Sequence, residues 1–532
     1  MNFNLVHEKW IPIRRKDGTE TKIAPWEITA DYLSNPVVAL DAPRPDFKGA
    51  HVQFLIGLIQ TTIAPVNEEE WEDLFFDPPR AERLKEAFSS VSHAFNLGGG
   101  GPRFMQEREP LDGNAWGIDK LIIDAPGENS LRNNRDLFMK RGTISMLCPS
   151  CCATALFAMQ TNAPSGGSGH RTSLRGGGPL STLVLPGGDD NDSLWNMLWL
   201  NILEKDVFLR TSGNAGRTAE RDIFPWLAAT RTSEKRDGRD TTPQDAHPAQ
   251  MFWGMPRRIG LDLENCASGE CPVCGEMTPT GILRYRTQNY GVNYAGAWLH
   301  PLSPYSRKDG VPLPLHAQPG GISYRHWLGL VQEDTKLQRE PARIVHHFRE
   351  SRQLSGQSFR LWAFGYDMDN MTARCWYESI MPLVVVPTAI REDYEFRTAG
   401  MVRAAHEVAE NLRKCVKKAW FNKPGEVKGD TGIIVGRFWQ NTEGDFYVGL
   451  ENLRSALGDD NEEALIAVMR SWHMVLCRTS QIIFDSLAWE GPIEHANPKR
   501  VVLARRDLAR FNSSKKILVE LLGLPAANRV AQ

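Results

Sequence analysis

Two pairs of cysteines far apart in the chain place the strongest constraint on its fold. Cys148 and Cys151 form a C-x2-C pair, and Cys271 and Cys274 form a second pair within C-P-V-C-G, with 119 residues between the pairs. The C-P-x-C-G form is common in zinc ribbons, because its turn lets two sulfur atoms face one metal and the glycine relieves backbone strain. Two such pairs supply the four thiolates of a closed tetrahedral site. The sequence therefore predicts a structural zinc that joins two distant segments.

Other interpretations of these cysteines stay open. Buried or free thiols are the main alternative, and Cys152 and Cys266 are candidate substitutes as ligands. A thioredoxin-like redox pair is disfavoured, because no compact β-α-β context surrounds either motif. Cys375, Cys415 and Cys477 lie in apolar stretches and are predicted to be core residues. Four thiolates leave no ligand position for water, so such a site would stabilise the fold and perform no chemistry.

Composition and charge exclude several classes of protein. The chain has 532 residues, 41% of them hydrophobic, which is enough for roughly two to four domains with sizeable cores. Its 62 basic and 64 acidic side chains leave a formal net charge of -2, which excludes a uniformly basic binder but permits a local basic stripe. The opening residues do not have the pattern of a signal peptide, and no run of ~20 apolar residues is present. Nine cysteines are an odd number in so long a chain, so we expect a cytoplasmic protein with reduced thiols and no membrane contact.

The pattern of apolar residues changes near residue 388. Upstream, short strand-like runs and long Gly- and Pro-rich loops surround a few helix candidates, at 51–63, 71–88, 152–160 and 193–204. Downstream, four segments have apolar residues at helical spacing, at 392–420, 437–457, 462–486 and 498–522. We predict an α+β protein with two domains. Residues 1–387 form a large mixed α/β domain with long loops and a zinc knuckle, and residues 388–532 form a C-terminal four-helix bundle.

A glycine-rich segment follows the first cysteine pair. Residues 165–178 read SGGSGHRTSLRGGG. The first five residues offer little side-chain bulk and several free N–H groups, and His170, Arg171 and Arg175 follow them, so this loop can press into a DNA groove or cradle a phosphate. It lacks the G-K-[ST] of a P-loop and the strand–helix context of a dinucleotide site. A flexible linker is the alternative interpretation.

No set of residues in the sequence predicts catalysis. His406-Glu407 is followed by Glu410 where H-E-x-x-H needs a histidine, and no G-x-S-x-G motif is present. Basic residues cluster around Tyr285 and on the predicted helices at 392–420 and 498–522. Each cluster alone is typical of a solvated face. Together they permit the positive stripe that a duplex-binding protein uses.

A series of motifs runs in a specific order along nearly the whole chain. NLVHEKWIPI opens it and FMQ stands at 104–106, followed by the first cysteine pair, the glycine segment and the second pair. GAWLHPLSP at 296–304 and GYDMDN at 365–370 complete it. In this order and spacing the chain resembles the CasA family, the large subunit of the type I-E CRISPR surveillance complex, Cascade. In such complexes the guide RNA reads sequence by pairing, and a protein reads only the short protospacer-adjacent motif (PAM).

The resemblance implies three elements that read the PAM duplex, mainly from the minor groove. The first is a glycine loop that approaches base edges, here Ser165, Gly166, Gly167, Ser168 and Gly169. Serines replace family glycines at two of these positions, so the PAM preference can differ. Because minor-groove readout is degenerate, such a reader tolerates several PAMs.

The second and third implied elements also depart from the family pattern. The lysine of a basic finger falls at Asn289, which can hydrogen-bond base edges but brings no charge. Its neighbours Gln288, Arg286 and Arg284 are then candidates to share the role. A wedge that separates the DNA strands aligns with Asp369, Asn370 and Met371. Asn370 stands where the family has glutamine, and Met371 can intercalate between bases.

The resemblance further implies a set of partners and a non-catalytic role. Phe138 falls at the aromatic position of a loop that contacts the 5′ handle of the guide RNA (the crRNA), where its ring can stack on a base. The helical bundle is expected to contact the small subunits and the target strands of the complex, beside its backbone and handle-end subunits. The large domain is expected to recruit a separate helicase–nuclease. A zinc-dependent nucleic-acid-processing enzyme and a scaffold protein held by its metal knuckle are the alternative interpretations.

Overall fold

The chain folds into two compact units in a computed structural model. The first unit comprises Met1–Gln318 and Pro341–Glu378, and the second comprises Pro319–Glu340 and Ser379–Gln532. The residues that the structure describes are 1–113, 115–125, 132, 142–166, 169–188, 193–234, 236–352, 354, 357–369, 372–426, 431–489 and 497–525. Small sheets and helices in the first unit and long helices in the second confirm the predicted α+β class.

Most helices of the first unit are short, and two longer ones lie in its core. They are α1 (Pro45–Thr62), α2 (Glu68–Phe76), α3 (Ala81–Ser89), α4 (Pro149–Asn162), α5 (Leu194–Trp199), α6 (Lys205–Leu209), α7 (Glu220–Ile223) and α8 (Arg343–Ser351). The prediction of one helix over 71–88 is wrong. Pro78 and Pro79 separate α2 from α3, because proline lacks the N–H of a helical hydrogen bond and disfavours the helical conformation in the residue before it.

The strands are short except for one long hairpin. They are β1 (Ile11–Arg15), β2 (Glu20–Ile23), β3 (Val37–Leu40), β4 (Ala115–Gly117), β5 (Ser181–Pro186), β6 (Asp240–Thr241), β7 (Arg258–Leu261), β8 (Cys266–Glu270), β9 (Met277–Ile282), β10 (Arg284–Gln288), β11 (Asn293–Tyr294), β12 (Tyr305–Lys308), β13 (Val311–Pro314), β14 (Arg339–Glu340), β15 (Phe359–Asp369) and β16 (Thr372–Leu383). The three-stranded sheets of the first unit have the orders β2-β1-β3, β4-β10-β7 and β16-β15-β5, and β8 pairs with β9 as a hairpin.

Two of these sheets position the residues of the candidate site. β10 is the central strand of its sheet and runs antiparallel to β4 and β7, with Tyr285 opposite Trp116 and Leu261. β5, buried along its whole length, pairs antiparallel with β15, with Leu183 opposite Trp362. Burial on both faces explains why β5 reads as a nearly continuous apolar run.

An aromatic cluster forms the core of the first unit around Phe54 of α1. Its ring meets Phe95, Phe104, Phe157 and Trp253 edge-on, with centroids 5.7 to 6.0 Å apart. Edge-to-face contacts of this kind are favourable because the positive ring edge meets the negative ring face. Phe157 lies on α4, so this cluster anchors the helix that carries the first cysteine pair.

Four long helices dominate the second unit, as predicted. They are α9 (Thr388–Trp420), α10 (Gly432–Gly458), α11 (Glu462–Leu487) and α12 (Pro498–Asn512). The last helix ends ten residues before the predicted position 522, and a π-helical turn follows at Lys516–Leu521. None of the described helices combines the length and the apolar character that crossing a bilayer requires.

The segment Pro319–Glu340 packs on these helices. The ring of Tyr324 stacks on Phe446 with centroids 4.4 Å apart, and its hydroxyl hydrogen-bonds Thr442 Oγ1 at 2.6 Å. Both partners lie on α10 and are fully buried. The core of the second unit therefore includes residues that precede its helices by more than sixty positions in the chain.

Candidate functional site

The four predicted metal ligands come together in the structure. The Sγ atoms of Cys148, Cys151, Cys271 and Cys274 all lie within 4.8 Å of one another, and those of Cys148 and Cys274 are 3.7 Å apart. In a tetrahedral site with metal–sulfur bonds of about 2.3 Å, neighbouring sulfur atoms are about 3.8 Å apart. The cluster therefore has the size and the ligand set of a four-thiolate metal site.

The first cysteine pair lies at the start of α4. Cys148 is the N-cap residue of this helix, and the backbone N–H of Cys151 donates to its Sγ at 3.4 Å. Pro149 fits the first helical position, where an N–H would have no helical partner. The helix is tied to α1 by a buried hydrogen bond of 2.9 Å between His51 Nε2 and Thr154 Oγ1, and burial lowers the pKa of His51 to about 3. Two sulfur atoms are thus placed by a helix terminus that is itself packed in the core.

The second cysteine pair lies at the tip of the β8–β9 hairpin. The N–H of Gly275 donates to the carbonyl of Cys271 at 2.8 Å, and the N–H of Cys271 donates to the carbonyl of Glu276 at 2.9 Å. Gly275 has a φ of +75°, the left-handed conformation that favours glycine. Leu147 and Ile282 exchange backbone hydrogen bonds of 3.0 and 2.8 Å, which join the segment before α4 to β9. Backbone pairing therefore brings the two cysteine pairs together.

The sulfur atoms of the cluster share protons through hydrogen bonds. Hydrogen bonds from the Cys148 and Cys151 thiols lower the pKa of Cys274 to about 7. The pKa of Cys151 is raised, and its hydrogen bond with Cys148 is the largest cause. Lys22 lies beside the cluster and pairs with Glu276. Burial alone would lower the pKa of Lys22, but the Glu276 carboxylate and the nearby sulfur atoms raise it. A metal dication that binds this cluster would displace the remaining thiol protons, because metal ligands must be deprotonated.

The other cysteines lie outside this cluster. Cys152 is buried next to it, and Cys266 is half-buried on β8. Of the three cysteines predicted to be core residues, Cys415 is buried, whereas Cys375 and Cys477 are half-buried. The C-x2-C spacing therefore identified the four clustered sulfur atoms, and neither neighbouring cysteine substitutes for a ligand.

The glycine loop starts directly after α4. This helix spans fourteen residues, or about 21 Å at 1.5 Å per residue, so the loop lies one helix length from the cysteine cluster. Ser165 and Gly166 are exposed, and Gly169 is half-buried with a φ of +89°. Gly167 and Ser168 lie outside the described residues. The described part of the loop is thus open to a partner at its first residues and held at its last.

Gly169 contacts the residue that follows the predicted finger position. The N–H of Tyr290 donates to the carbonyl of Gly169 at 2.9 Å, and a Cβ on Gly169 would lie 2.8 Å from the Tyr290 ring. Tyr290 itself has a φ of +60°, which is uncommon for a bulky residue. Asn289 is half-buried, and its amide makes no hydrogen bond within the part of the chain that the structure describes. The structure therefore brings the glycine loop against the finger, defined as residues 284–291 around the predicted position Asn289.

Strand β10 presents polar side chains next to this contact. Arg284, Arg286 and Gln288 alternate with Tyr285 and Thr287, so that the first three are exposed and Tyr285 is buried. Arg286 Nη1 donates to the carbonyl of Gly113. Period-two alternation puts all three exposed side chains on one face of the strand, and two of them are positively charged.

The predicted wedge begins at the end of β15. Asp369 ends β15, and Asn370 and Met371 lie outside the described residues. Arg374 donates to both oxygens of Asp367 at 3.0 and 2.8 Å, and its Nη1 is 3.6 Å from Asp369 Oδ2. The described part of the wedge is therefore held by an arginine across the hairpin.

This hairpin packs against the end of the glycine segment. A Cβ on Gly178 would lie 2.8 Å from Met368 Cε and from Tyr366 Cβ, both on β15. Gly178 also has a φ of +62°, so glycine is required there for two reasons. The finger thus meets one part of the glycine-rich segment, at Gly169, and the wedge hairpin meets another, at Gly178.

Two arginines near the glycine loop have roles that the sequence did not indicate. Arg175, which the sequence placed beside the loop, is 3% exposed and donates to Ser181 Oγ at 2.9 Å and Ser303 Oγ at 3.2 Å. Arg257 donates to the carbonyl of Pro164, at the start of the loop. Burial lowers the pKa of each arginine to about 10, so both stay charged at neutral pH. Arg257 holds the start of the loop, whereas Arg175 ties the later part of the glycine-rich segment to β5 and Ser303. Only contacts with distant segments reveal either role.

A cleft of about 310 Å³ lies beside the loop. Its lining includes Arg257, His170 and Tyr285. Burial and the neighbouring Arg257 lower the pKa of His170 to about 4, so this imidazole is neutral near pH 7. Phe138, predicted to contact guide RNA, lies outside the described residues.

Comparison with known proteins identifies the family. Residues 4–482 match the family model of the CRISPR-associated protein Cse1. The chain belongs to the Cse1 family. The resemblance inferred from motif order is confirmed by this match.

Solved structures share the fold of this Cse1 family member over nearly its whole length. Thermobifida fusca Cse1 has a TM-score of 0.70 at 16% identity, covering 97% of this chain and 98% of that chain. CasA from Thermus thermophilus has a TM-score of 0.66 at 16% identity, covering 96% and 99%. A chain of a structure titled CRISPR RNA-guided surveillance complex has a TM-score of 0.68 at 16% identity, covering 96% and 100%. At this identity the likeness concerns the fold.

Proposed function

We propose that this chain is the non-catalytic large subunit of a type I-E CRISPR surveillance complex. In this role it recognises the PAM in double-stranded DNA, helps to open the duplex and start R-loop formation, and recruits a helicase–nuclease. Membership of the Cse1 family supports the place in the complex. The observation that carries the DNA-reading role is the hydrogen bond between Tyr290 and Gly169, which brings two predicted PAM-reading elements into contact.

The glycine loop is the part that we propose approaches base edges in the minor groove. Ser165 and Gly166 are exposed and carry almost no side-chain bulk, so the backbone there can come close to DNA. The N–H of Gly166 donates to the carbonyl of His170 at 3.3 Å, which leaves the N–H and hydroxyl of Ser165 to face a partner. Serine hydroxyls can donate to the purine N3 and pyrimidine O2 atoms of that groove, and can accept from the guanine N2 amino group. We assign the DNA contacts of this loop to its five consecutive residues, Ser165, Gly166, Gly167, Ser168 and Gly169.

The finger and the wedge complete the proposed interface. The side-chain amide of Asn289 can hydrogen-bond a base edge, and Arg284 and Arg286 are exposed close by in the chain. Met371, with Asp369 and its neighbour Asn370, is proposed to enter the base stack beside the PAM. Unstacking costs a few kcal/mol per step, which pairing with the guide RNA then offsets.

We propose that the metal in the cysteine cluster is zinc. When bound, zinc supplies a crosslink between the start of α4 and the β8–β9 hairpin. α4 leads into the glycine loop, and β9 leads through β10 to Asn289, so this crosslink ties together the two segments that carry the interface. Four cysteine ligands form a closed set, which supports a structural role and disfavours the alternative of a zinc-dependent enzyme.

The remaining partners follow from the proposed place in the complex. Phe138 is proposed to stack on a base of the guide-RNA 5′ handle, and the helical unit is proposed to contact the small subunits and the target strands. No disulfide joins any of the nine cysteines, all of which the structure describes. This suits the reducing cytoplasm, where we expect this complex to work.

The test is target binding by guide-loaded complexes assembled with and without this chain. Matched duplexes differ only in the PAM. We expect tight binding to require both the chain and one set of PAMs. Ser165→Asp, which places a carboxylate against the groove, should weaken binding, whereas Gly100→Asp, in open space elsewhere in the same unit, should not. Equal binding of every duplex, or no effect of the chain, would contradict the proposal.

A further inference from the structure

A side chain from a third segment holds the glycine loop and the finger together. Ser233 lies in the polar stretch between α7 and β6 and is 8% exposed. Arg171, two residues after Gly169, donates from Nε to Ser233 Oγ at 2.7 Å and from Nη2 to the Ser233 carbonyl at 3.0 Å. This two-pronged contact fixes both the position and the orientation of the guanidinium group.

The same serine also contacts the finger. Ser233 Oγ donates to the carbonyl of Gly291 at 2.7 Å, and its backbone N–H donates to the carbonyl of Tyr290 at 3.1 Å. With the bond from the Tyr290 N–H to Gly169, these contacts form a closed ring. Hydrogen bonds lead from Gly169 to Tyr290, from Tyr290 to Ser233 and from Ser233 to Arg171, and the backbone of residues 169–171 closes the ring.

A closed ring has a mechanical consequence that separate hydrogen bonds lack. Moving the loop relative to the finger breaks at least two bonds at once, because each member is held from both sides. The ring also explains how Tyr290 keeps its φ of +60°. An uncommon backbone conformation persists where several surrounding contacts hold it, and the ring supplies hydrogen bonds to both the N–H and the carbonyl of Tyr290.

We propose that Arg171 and Ser233 are positioning residues that set the spacing between the glycine loop and the finger, and thereby the PAM discrimination of the complex. This inference rests on the proposed function. Reading base edges requires donors held within about 0.5 Å of their productive position, which loops reach only when other side chains support them. Arg171, committed to Ser233, acts through the loop instead of on a phosphate.

The test uses Ser233→Ala and Arg171→Lys in the whole guide-loaded complex. Lysine keeps the charge of arginine but cannot make the two-pronged contact, so general attraction to DNA is preserved. Ser212→Ala and Arg217→Lys are matched controls in the same unit, since Ser212 and Arg217 also donate to carbonyl oxygens but lie outside the ring.

Binding to two kinds of DNA target distinguishes a positioning role of these residues from a general effect on the stability of the protein. We expect each variant to lower the ratio of affinities for duplexes with and without the PAM by roughly tenfold, the effect of one to two hydrogen bonds. The affinity for a single-stranded target, which needs no PAM, should stay unchanged in both variants. The two control variants should change neither the affinity ratio nor the affinity for the single-stranded target. Amide hydrogen exchange at Tyr290 should become faster in both variants.

Each other outcome has a definite meaning. If the wild-type complex does not discriminate PAMs, the proposed function is wrong. If the wild type discriminates and both variants discriminate equally well, the inference is wrong while the function stands. A parallel loss on both targets, or failure of both variants to fold, would show that the ring only stabilises the fold and would overturn the inference.

Discussion

The backbone N–H of Tyr290 hydrogen-bonds the carbonyl oxygen of Gly169 at 2.9 Å. Two arms of the chain meet at this bond, and both begin at the cysteine cluster. One arm is α4 and the glycine loop, and the other is β9 and the finger. The cysteine cluster holds the arms at one end and the Tyr290–Gly169 bond holds them at the other.

The first prediction concerns Gly169 itself. Gly169→Ala introduces a Cβ 2.8 Å from the Tyr290 ring at a φ of +89°, so both sterics and backbone strain displace the loop. We expect a loss of stability of about 1–3 kcal/mol, as for strained backbone, and loss of PAM-dependent binding. Urea unfolding and duplex affinity measure the two effects. Gly100→Ala, in open space without a positive φ, should change neither, and an unchanged affinity of Gly169→Ala would contradict the role of the contact.

The second prediction concerns the metal. Cys271→Ser removes one of four thiolates, so we expect it to lose bound zinc and several kcal/mol of stability in the first unit, because metal binding and folding are coupled. Elemental analysis and thermal unfolding measure both. Cys266→Ser, on β8 outside the cluster, should keep its zinc and its melting temperature. Wild-type protein purified without any zinc would show that the metal assignment is wrong.

The third prediction concerns stability at low pH. Glu204 accepts hydrogen bonds from His347 Nε2 at 2.8 Å and from Arg352 Nη1. Burial alone would raise the pKa of Glu204, but these two partners lower it to about 2. Since the unfolded pKa is about 4.3, the folded state gains stability at higher pH, and this contribution disappears as pH falls from about 5 to 2.

Urea unfolding of Glu204→Gln between pH 7 and 3 tests this expectation. The variant should be less stable than wild type by about 2 kcal/mol or more at pH 7, because buried Arg352 loses its close carboxylate partner and keeps only the exposed Glu68 carboxylate at 4.0 Å. The difference in the free energy of unfolding between wild type and the variant should narrow as pH falls below about 5. Glu69→Gln, an exposed change on α2, should leave stability unchanged throughout. A difference that does not depend on pH would contradict the assigned titration.

The fourth prediction concerns the second unit. Phe446→Ala should reduce its stability by about 3–5 kcal/mol, because the ring is fully buried against Tyr324 and Trp472. Val448→Ala on the same helix, where the valine is 61% exposed, should have little effect. In a double-mutant cycle, Tyr324→Ala and Phe446→Ala should couple by about 0.5–1.5 kcal/mol. Additive effects would mean that the contact between Tyr324 and Phe446 contributes no coupling energy of its own.

Local chemistry explains which elements the sequence predicted. The four-cysteine cluster was predictable because C-x2-C spacing is typical of a metal-binding turn, whatever the rest of the fold. The long helices were predictable because apolar residues recur at the helical period. The end of α12 was not, since the apolar pattern continues past Asn512 into the π-helical turn at Lys516–Leu521.

The sequence by itself identified the four cysteines that cluster, the helical unit and, through motif order, the family. The tertiary structure alone decided that Arg175 is buried, that Arg171 is held by Ser233, and that Tyr290 meets Gly169. In the sequence both arginines look like equally available cations beside a flexible loop. Whether a side chain faces solvent or the core depends on segments more than a hundred residues away, such as Ser303 for Arg175, and no local pattern encodes such a contact.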